Sequence, residues 1–394
     1  MPRDLVALPV PAGPAVLDLL PILQRALAGD GPALLPVPAD DGREAARRAA
    51  AAMPGTPLAA NEDDPADPTA FVVSTSGSTG VPKGALLPVS ALRASIAATE
   101  ARLGGPGRWL LALPVDHIAG LQVLLRSVVS GIEPAVLDLT TGFDVAAFAA
   151  VTDRLGPGRR LTAVVPTQLV RLLADPAGVD ALRSYDAVLV GGAATPGGDL
   201  DVARAAGVRV VTTYGMSETC GGCVYDGRPL DGVTVRLADE GRVVLGGTVV
   251  ARGYRGRPDQ TREALSGREF RTDDLGELRP DGTLRLLGRA DDVVITGGLK
   301  VAPAEVEQVL LALPSIRECV VVGVPDAEWG QRLVAVVVAA DPARPPALDE
   351  LRAAVLRRLV AAAAPRGLVV VDALPLRGPG KPDRVEAARL AADR

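Results

Sequence analysis

From residue 71 onward, short apolar runs alternate with stretches of helical period. FVVST (71–75), RWLLALP (108–114), EPAVLDL (133–139), LTAVVP (161–166), YDAVLVGG (185–192) and VRVVTTYG (208–215) read as strands. VSALRASIAATEARL (89–103), with Ser90 as a plausible cap, and a segment near 118–130 read as helices between them; a further helix is expected at about 14–28. Apolar strands separated by helices predict an α/β fold with a doubly wound, mostly parallel sheet and ligands at the carboxyl ends of its strands. FVVST-SGSTG, AVLV-GGAA and VVTT-YGMSE each put a polar loop directly after a strand, so these three loops are expected to meet at one crevice.

The pattern changes twice further on. Residues 223–290 break into short segments separated by DG, EG and GG pairs, the mark of a β-rich subdomain with tight turns. Then PAEVEQVLLAL (303–313), RECVVVGV (317–324), RLVAVVVAA (332–340) and LDELRAAVLRRLVAAAA (348–364) supply an apolar face of their own, enough for a small α+β domain. The expected division is 1–290 for a large N-terminal domain and 291–394 for a small mobile one.

Composition narrows the chemistry. The chain has 394 residues and a formal net charge of −5, so nothing argues for a nucleic-acid partner. No stretch reads as a transmembrane segment or a cleaved signal, and three cysteines are too few for a disulfide framework; a cytoplasmic protein is expected. Of 42 basic residues only Lys83, Lys300 and Lys381 are lysines, all in glycine-rich stretches that read as loops, and His117 is the single histidine. A compact, rotatable ammonium does what a planar guanidinium cannot. Cys220-Gly-Gly-Cys223 has redox or zinc spacing, but zinc needs about four ligands and no second such pair exists. Small residues lining or backing a pocket are the expected role there.

STSGSTGVPKG (74–84) packs glycines and hydroxyls around Lys83, yet Pro82 and Gly84 flank that lysine where a Walker A loop needs Gly and Ser or Thr. With TYGMSET (213–219), FRTDDLG (270–276), GRADDVVITGGLKVAPAEVE (288–307) and GPGKPDR (378–384), in that order, it resembles the adenylate-forming superfamily of acyl-CoA synthetases, peptide-synthetase adenylation domains and luciferases. The resemblance runs from about residue 70 to the C-terminus. It implies a large adenylation domain, a mobile lid, and a reaction in which a carboxylate attacks the α-phosphorus of ATP with Mg²⁺, after which a thiol takes the acyl group. A carboxylate with a pKa near ~4 needs no general base at neutral pH; the obstacle is charge, met by N–H groups, a cation and lysine.

Residue by residue, the resemblance implies ATP binding by Thr75, Ser76, Gly77, Ser78, Thr79, Gly80 and Lys83, by Gly192 and Ala193 of GGAA, by Thr213, Tyr214 and Gly215, and by the ribose contacts Asp274 and Arg289. Glu218 matches the Mg²⁺ ligand, Lys381 the catalytic lysine and Asp291 the hinge. Most relatives have glycine where Asp273 stands, which puts the turn geometry there in question. Lys300 lies in the mobile stretch and is as well explained by a surface role. His117, in PVDHIAGLQ, matches a histidine that flanks the acyl pocket and helps gate thiol access, although a lone histidine is more often structural.

SETCGGCVYDGRPLDGV (217–233), VPTQLVRLL (165–173) and the short N-terminal region most resemble the branch that joins 2-succinylbenzoate to CoA in menaquinone biosynthesis, in its compact actinobacterial form. Thr167, Gln168, Ser217, Gly221 and Gly222, with His117, are the pocket candidates. The branch implies a small carboxylic acid, ATP, Mg²⁺ and coenzyme A as ligands, and a homodimer at the level of the family. The alternatives are another aryl- or acyl-CoA ligase, a stand-alone adenylation enzyme loading a carrier thiol, and, from a different class, a non-catalytic nucleotide-binding relative.

Overall fold

The computed structural model describes residues 2–75, 82–195, 197–377 and 381–392. The chain forms two compact units: 1–192, 203–236 and 244–272 in the first, and 193–202, 237–243 and 273–394 in the second.

The first unit holds two sheets. Leu5–Val10, Ala33–Pro38 and Thr69–Thr75 run parallel, and Lys83–Pro88 and Gly253–Tyr254 add antiparallel at the edge. In the second sheet Val210–Met216, Ala187–Val190, Arg160–Val164, Arg108–Leu111 and Ala135–Val136 are parallel neighbours in that order. Gly221–Tyr225 and Arg228–Pro229 extend it antiparallel. The apolar runs become strands because both sheet faces are covered: all four residues of Ala187–Val190 are buried.

Several elements differ locally from expectation. Residues 13–27 begin as a 3₁₀ segment, Gly13–Leu19, before the α-helix Leu20–Leu27. Ser90 lies inside the helix Val89–Leu103 and does not cap it. Its N–H and hydroxyl instead donate to the carboxylate of Asp67, 23 residues upstream. EPAVLDL contributes only Ala135–Val136 as strand. The helix begun at Leu348 stops at Leu356; Val360 is extended, and Ala361–Ala363 make a single 3₁₀ turn before Pro365.

Within the strands Val233–Leu237, Arg242–Gly247 and Glu269–Leu278 the chain passes from one unit to the other. In the second unit the latter part of Glu269–Leu278 pairs antiparallel with Leu284–Arg289, with Asp274 opposite Arg289. The main sheet there is Leu299–Val301, Val294–Thr296, Gly330–Ala339 and Ile316–Asp326, with Gly367–Val370 added parallel to Gly330–Ala339. Alternate residues of its long strand pair enter two cores. Val321, Leu333, Ala335 and Val337 pack with the helices Pro303–Leu310 and Leu348–Leu356, whereas Val320, Val322, Val334 and Val336 pack with Ala387 and Ala391 of Arg384–Ala392.

Candidate active site

The three lysines stand on strands. Lys83 is the first residue of Lys83–Pro88 and pairs with Thr75; Lys300 is central in Leu299–Val301; Lys381 opens Lys381–Pro382, opposite Arg377. The expectation of loops is therefore corrected. In each case antiparallel pairing with the preceding strand already claims the lysine's backbone.

Ser76, Gly77, Ser78, Thr79 and Gly80 lie outside the described residues, but the ladder pair flanking them, Thr75 and Lys83, does not. The expected convergence of three loops holds for part of the set. Thr69–Thr75 belongs to a different sheet from the strands that end in GGAA and YGMSE, yet the 3₁₀ turn Ser217–Thr219 packs against both Thr69–Thr75 and Lys83–Pro88. Gly191 adjoins Thr213, whose hydroxyl faces the Val190 carbonyl. Gly192, Thr213, Tyr214 and Gly215 lie in the first unit with Thr75 and Lys83, whereas Ala193, Asp274 and Arg289 lie in the second.

Glu218 is only 6% exposed. The turn that carries it is fixed by Thr219, whose hydroxyl takes the Met216 N–H at 3.0 Å and donates to the Gly221 carbonyl at 2.8 Å. Gly215 permits this fold-back, because a Cβ there would stand 2.2 Å from the Gly221 oxygen. The Glu218 Oε1 accepts from the Tyr254 hydroxyl at 2.8 Å, and the Lys83 ammonium sits 5.0 Å from the centre of the same ring. Cation, phenol and carboxylate thus stand in series. Among the described residues no three His, Cys, Asp or Glu side chains cluster to hold a metal. One hard carboxylate still suits Mg²⁺, which takes its remaining ligands from phosphate and water.

Tyr254 was not foreseen. Its contact to Glu218 spans 36 residues, and the one sequence signal was scarcity, since the chain has four tyrosines. The next residue, Arg255, is buried against Glu62 in an ion pair and donates to Thr56 and Pro57. Burial alone would raise the Glu62 carboxyl, but the Gly256 and Ala59 N–H groups and Arg255 together hold it below the usual range.

His117 precedes the helix Ile118–Ser130, whose start faces Gly221, the first residue of strand Gly221–Tyr225: a Cβ on Gly221 would meet Gln122 at 3.4 Å and Ile118 at 3.8 Å. Gly120 has no room for a side chain, the Pro114 carbonyl oxygen lying 2.2 Å from where a Cβ would be. The Cys220 carbonyl accepts from Gln122 Nε2 at 2.6 Å and from the Ser95 hydroxyl at 3.0 Å. Cys220, Cys223 and Cys319 are free thiols; burial pushes Cys220 up, and Cys223 up to about 12. Such thiols are poor nucleophiles and poor metal ligands, as small pocket-backing residues can be. Ser217 is buried in its 3₁₀ turn, and Gly222 packs on Thr213 and Tyr225.

Thr167 and Gln168 lie in the first turn of Pro166–Leu173. Gln168 Oε1 accepts from the Val165 N–H at 3.0 Å and its Nε2 donates to the Ala112 carbonyl at 2.9 Å. Its amide therefore ties the helix start to the end of strand Arg108–Leu111, leaving half-buried Thr167 nearer to solvent.

In the second unit Arg289 is ringed by carboxylates: Asp291 at 2.9 Å, Asp273 at 3.4 Å and Asp274 at 3.6 Å. Burial would lower its pKa, but Asp291, Asp274 and Asp273 raise it. Asp273 causes no backbone strain, being absent from the positive-φ residues, and its carboxylate also takes Arg242 at 2.9 Å. Lys300 makes an exposed 2.7 Å pair with Glu240. Arg384, the last residue of GPGKPDR, clasps Glu307 through two bonds at 2.7 and 3.0 Å, reaches the Val321 carbonyl, and pairs with Asp292 at 3.0 Å. It so anchors the segment after Lys381 to the helix Pro303–Leu310 and to the neighbour of Asp291. Both partners close a quoted motif, and that was the available signal.

The family model for AMP-binding enzymes matches residues 18–255, and the AMP-binding enzyme C-terminal domain matches 305–381. The chain belongs to the AMP-binding enzyme family. It has the adenylate-forming fold: a large N-terminal part with a small C-terminal one. Its relatives include a "probable 2-succinylbenzoate–CoA ligase" of Mycobacterium tuberculosis, 49% identical over 388 residues and 98% of each chain. Among solved structures, o-succinylbenzoate CoA synthetase of Bacillus subtilis with the acyl-adenylate intermediate OSB-AMP is 25% identical, with a TM-score of 0.75 over 98% of this chain and 88% of that one. The same enzyme with ATP and magnesium ion is 29% identical, with a TM-score of 0.71 over 81% and 70%. Among the described residues no helix is long and apolar enough to cross a membrane.

Proposed function

We propose that this AMP-binding enzyme is an acid–CoA ligase that converts 2-succinylbenzoate, ATP and CoA to 2-succinylbenzoyl-CoA, AMP and diphosphate. The observation that carries the reading is the 49% identity along almost the whole of a relative bearing that name. In the first step a carboxylate oxygen of the acid bonds to the α-phosphorus as the bond to the β-phosphate oxygen breaks and diphosphate leaves. In the second the CoA thiol attacks the acyl carbon, losing its proton, and AMP leaves.

The chain's own residues bind and neutralise in both steps. Thr75, Lys83 and the loop between them take the leaving phosphates. Mg²⁺, when bound, supplies positive charge on the phosphate oxygens, and Glu218 holds it with Tyr254 fixing the carboxylate. Tyr214 stacks on the adenine beside Gly192 and Ala193, while Asp274 accepts from the ribose hydroxyls, with Arg289 as its second contact. Lys381 bridges the reacting carboxylate and the α-phosphate. Residues 291–394 act as the lid, hinged at Asp291, and the bond from Asp291 to Arg289 supports a hinge that also touches the nucleotide grip. His117, Ser217, Gly221, Gly222 and Thr167 border the acyl pocket, with Gln168 holding its wall. A homodimer and a cytoplasmic location are carried by the family likeness alone.

The test is mass spectrometry of the protein with ATP, Mg²⁺, CoA and 2-succinylbenzoate, run beside benzoate and medium-chain fatty acids. AMP and acyl-CoA formed only with 2-succinylbenzoate is the expected result. Turnover of another acid alone would overturn the substrate, and no AMP from any acid would overturn the ligase reading. Lys381→Ala should lower acyl-adenylate formation by about 10²–10³-fold, the usual loss for one charge-stabilising donor, while ATP binding persists.

A further inference from the structure

The helix Gly42–Ala52 lies in a stretch whose composition suggested no chemistry. Asp41 caps it through the Glu44 N–H, and an Ala-rich sequence leaves Glu44 and Arg48 one turn apart on the same side. Arg48 is 4% exposed, an unusual place for a guanidinium unless every donor is used. Its Nε donates to Glu44 Oε1 at 2.8 Å, and its Nη1 donates to the Asp116 carbonyl and meets Asp116 Oδ2, both at 2.8 Å. Its Nη2 stands 3.2 Å from His117 Nε2. Arg47 also binds Glu44, and hydrogen bonding to it, with Arg48 in support, brings the Glu44 carboxyl to about 2 against the opposing effect of burial.

A guanidinium has donors only and does not deprotonate in proteins. The 3.2 Å contact is therefore a hydrogen bond only when His117 Nε2 offers its lone pair, which places the ring proton on Nδ1. The guanidinium cannot swing away to suit another tautomer, because it is itself buried and its other two ends are tied to the half-buried Glu44 and to Asp116. Asp116 Oδ2, at 3.7 Å from Nε2, lies beyond hydrogen-bond range and does not compete.

We propose that Arg48 is a positioning residue of the acyl pocket: it sets His117 in the Nδ1–H tautomer and fixes the plane of the ring. The inference rests on the reading of His117 under the proposed function and deepens it. With Nε2 committed to Arg48, the ring keeps one tautomer and one plane beside the acid and its acyl adenylate.

The chain has one histidine, so a long-range ¹⁵N–¹H correlation spectrum of the uniformly labelled wild-type protein reads this ring alone. At pH 7.5 Nδ1 should be pyrrole-like and Nε2 pyridine-like; an Nε2–H or doubly protonated ring overturns the proposal without reference to any substrate. In Arg48→Met the ring should move to the other tautomer or a mixture, and kcat/KM for ligation should fall roughly tenfold, short of the hundredfold that gross misplacement costs. The KM for ATP should stay within about twofold of wild type. Arg48→Lys, which keeps the charge and one donor, should recover part of both effects, and it replaces Arg48→Met if that variant melts early. A changed tautomer with unchanged kcat/KM overturns the positioning role. An inert His117→Ala overturns the reading of His117 itself, and failure of the ligase assay with every acid overturns the proposed function.

Discussion

In the first unit Arg255, Glu62 and Arg48 have side chains about 5% exposed, whereas in the second Arg289 and Asp291 stand at 41% and 36% and Lys300 at 62%. The same chemical pair means different things in the two settings. Removing one partner of a buried ion pair leaves an unpaired charge in low dielectric and costs about 3–5 kcal/mol. An exposed pair is worth about 1 kcal/mol or less, because water and salt replace either partner. Charges around Glu218 and His117 are thus fixed before any ligand arrives. Those around Arg289 and Asp291 can be exchanged at small cost.

The largest effect expected of that contrast is in Glu62→Gln. Chemical denaturation should show a loss of about 3–5 kcal/mol, and a loss below 1 kcal/mol would erase the contrast between buried and exposed pairs. The pH dependence has a definite sign. The folded Glu62 carboxyl lies below its ordinary value, so its contribution is whole above about pH 5 and is lost as the pH falls through the lowered folded value. The gap in Tm between wild type and Glu62→Gln should therefore narrow in acid.

Tyr254→Phe tests preorganisation together with stability. A hydrogen bond to a charged group is worth about 1.5–3 kcal/mol, so the Mg·ATP concentration for half-saturation should rise roughly tenfold and Tm should fall, by less than in Glu62→Gln. An unchanged Mg·ATP requirement would mean that Glu218 holds its place without the phenol. Lys300→Ala should do least: the rate of ATP–pyrophosphate exchange and Tm should both match wild type at moderate salt. A measurable fall in exchange would place Lys300 among the residues of the first half-reaction and sharpen the comparison.

What could be read from the sequence divides along the distance between partners. Ala187–Val190 and Arg160–Val164 were legible because a buried parallel strand announces itself in four or five consecutive residues. That Thr69–Thr75 belongs to a separate sheet was not legible, since its local pattern is the same. Ser90 looked like a cap until Asp67 supplied the acceptor from 23 residues away. The motif residues Lys83, Glu218 and Asp274 could be named from short strings, whereas Arg48, Tyr254 and Arg384 act on partners 69, 36 and 77 residues distant. Their roles exist only once the chain has folded.

The long strand pair of the second unit carries a further consequence. Sliding a strand by one residue normally turns apolar side chains into water, and that penalty enforces alignment. Between Ile316–Asp326 and Gly330–Ala339 both faces are apolar and both are covered, so hydrophobicity is nearly silent about which alignment is correct. The information sits at the hairpin tip. There Asp326 Oδ1 accepts the N–H groups of Glu328 and Trp329 at 2.9 and 3.0 Å, and Gly330 turns the chain at φ +73°. One half-buried carboxylate thereby decides which valines meet which core.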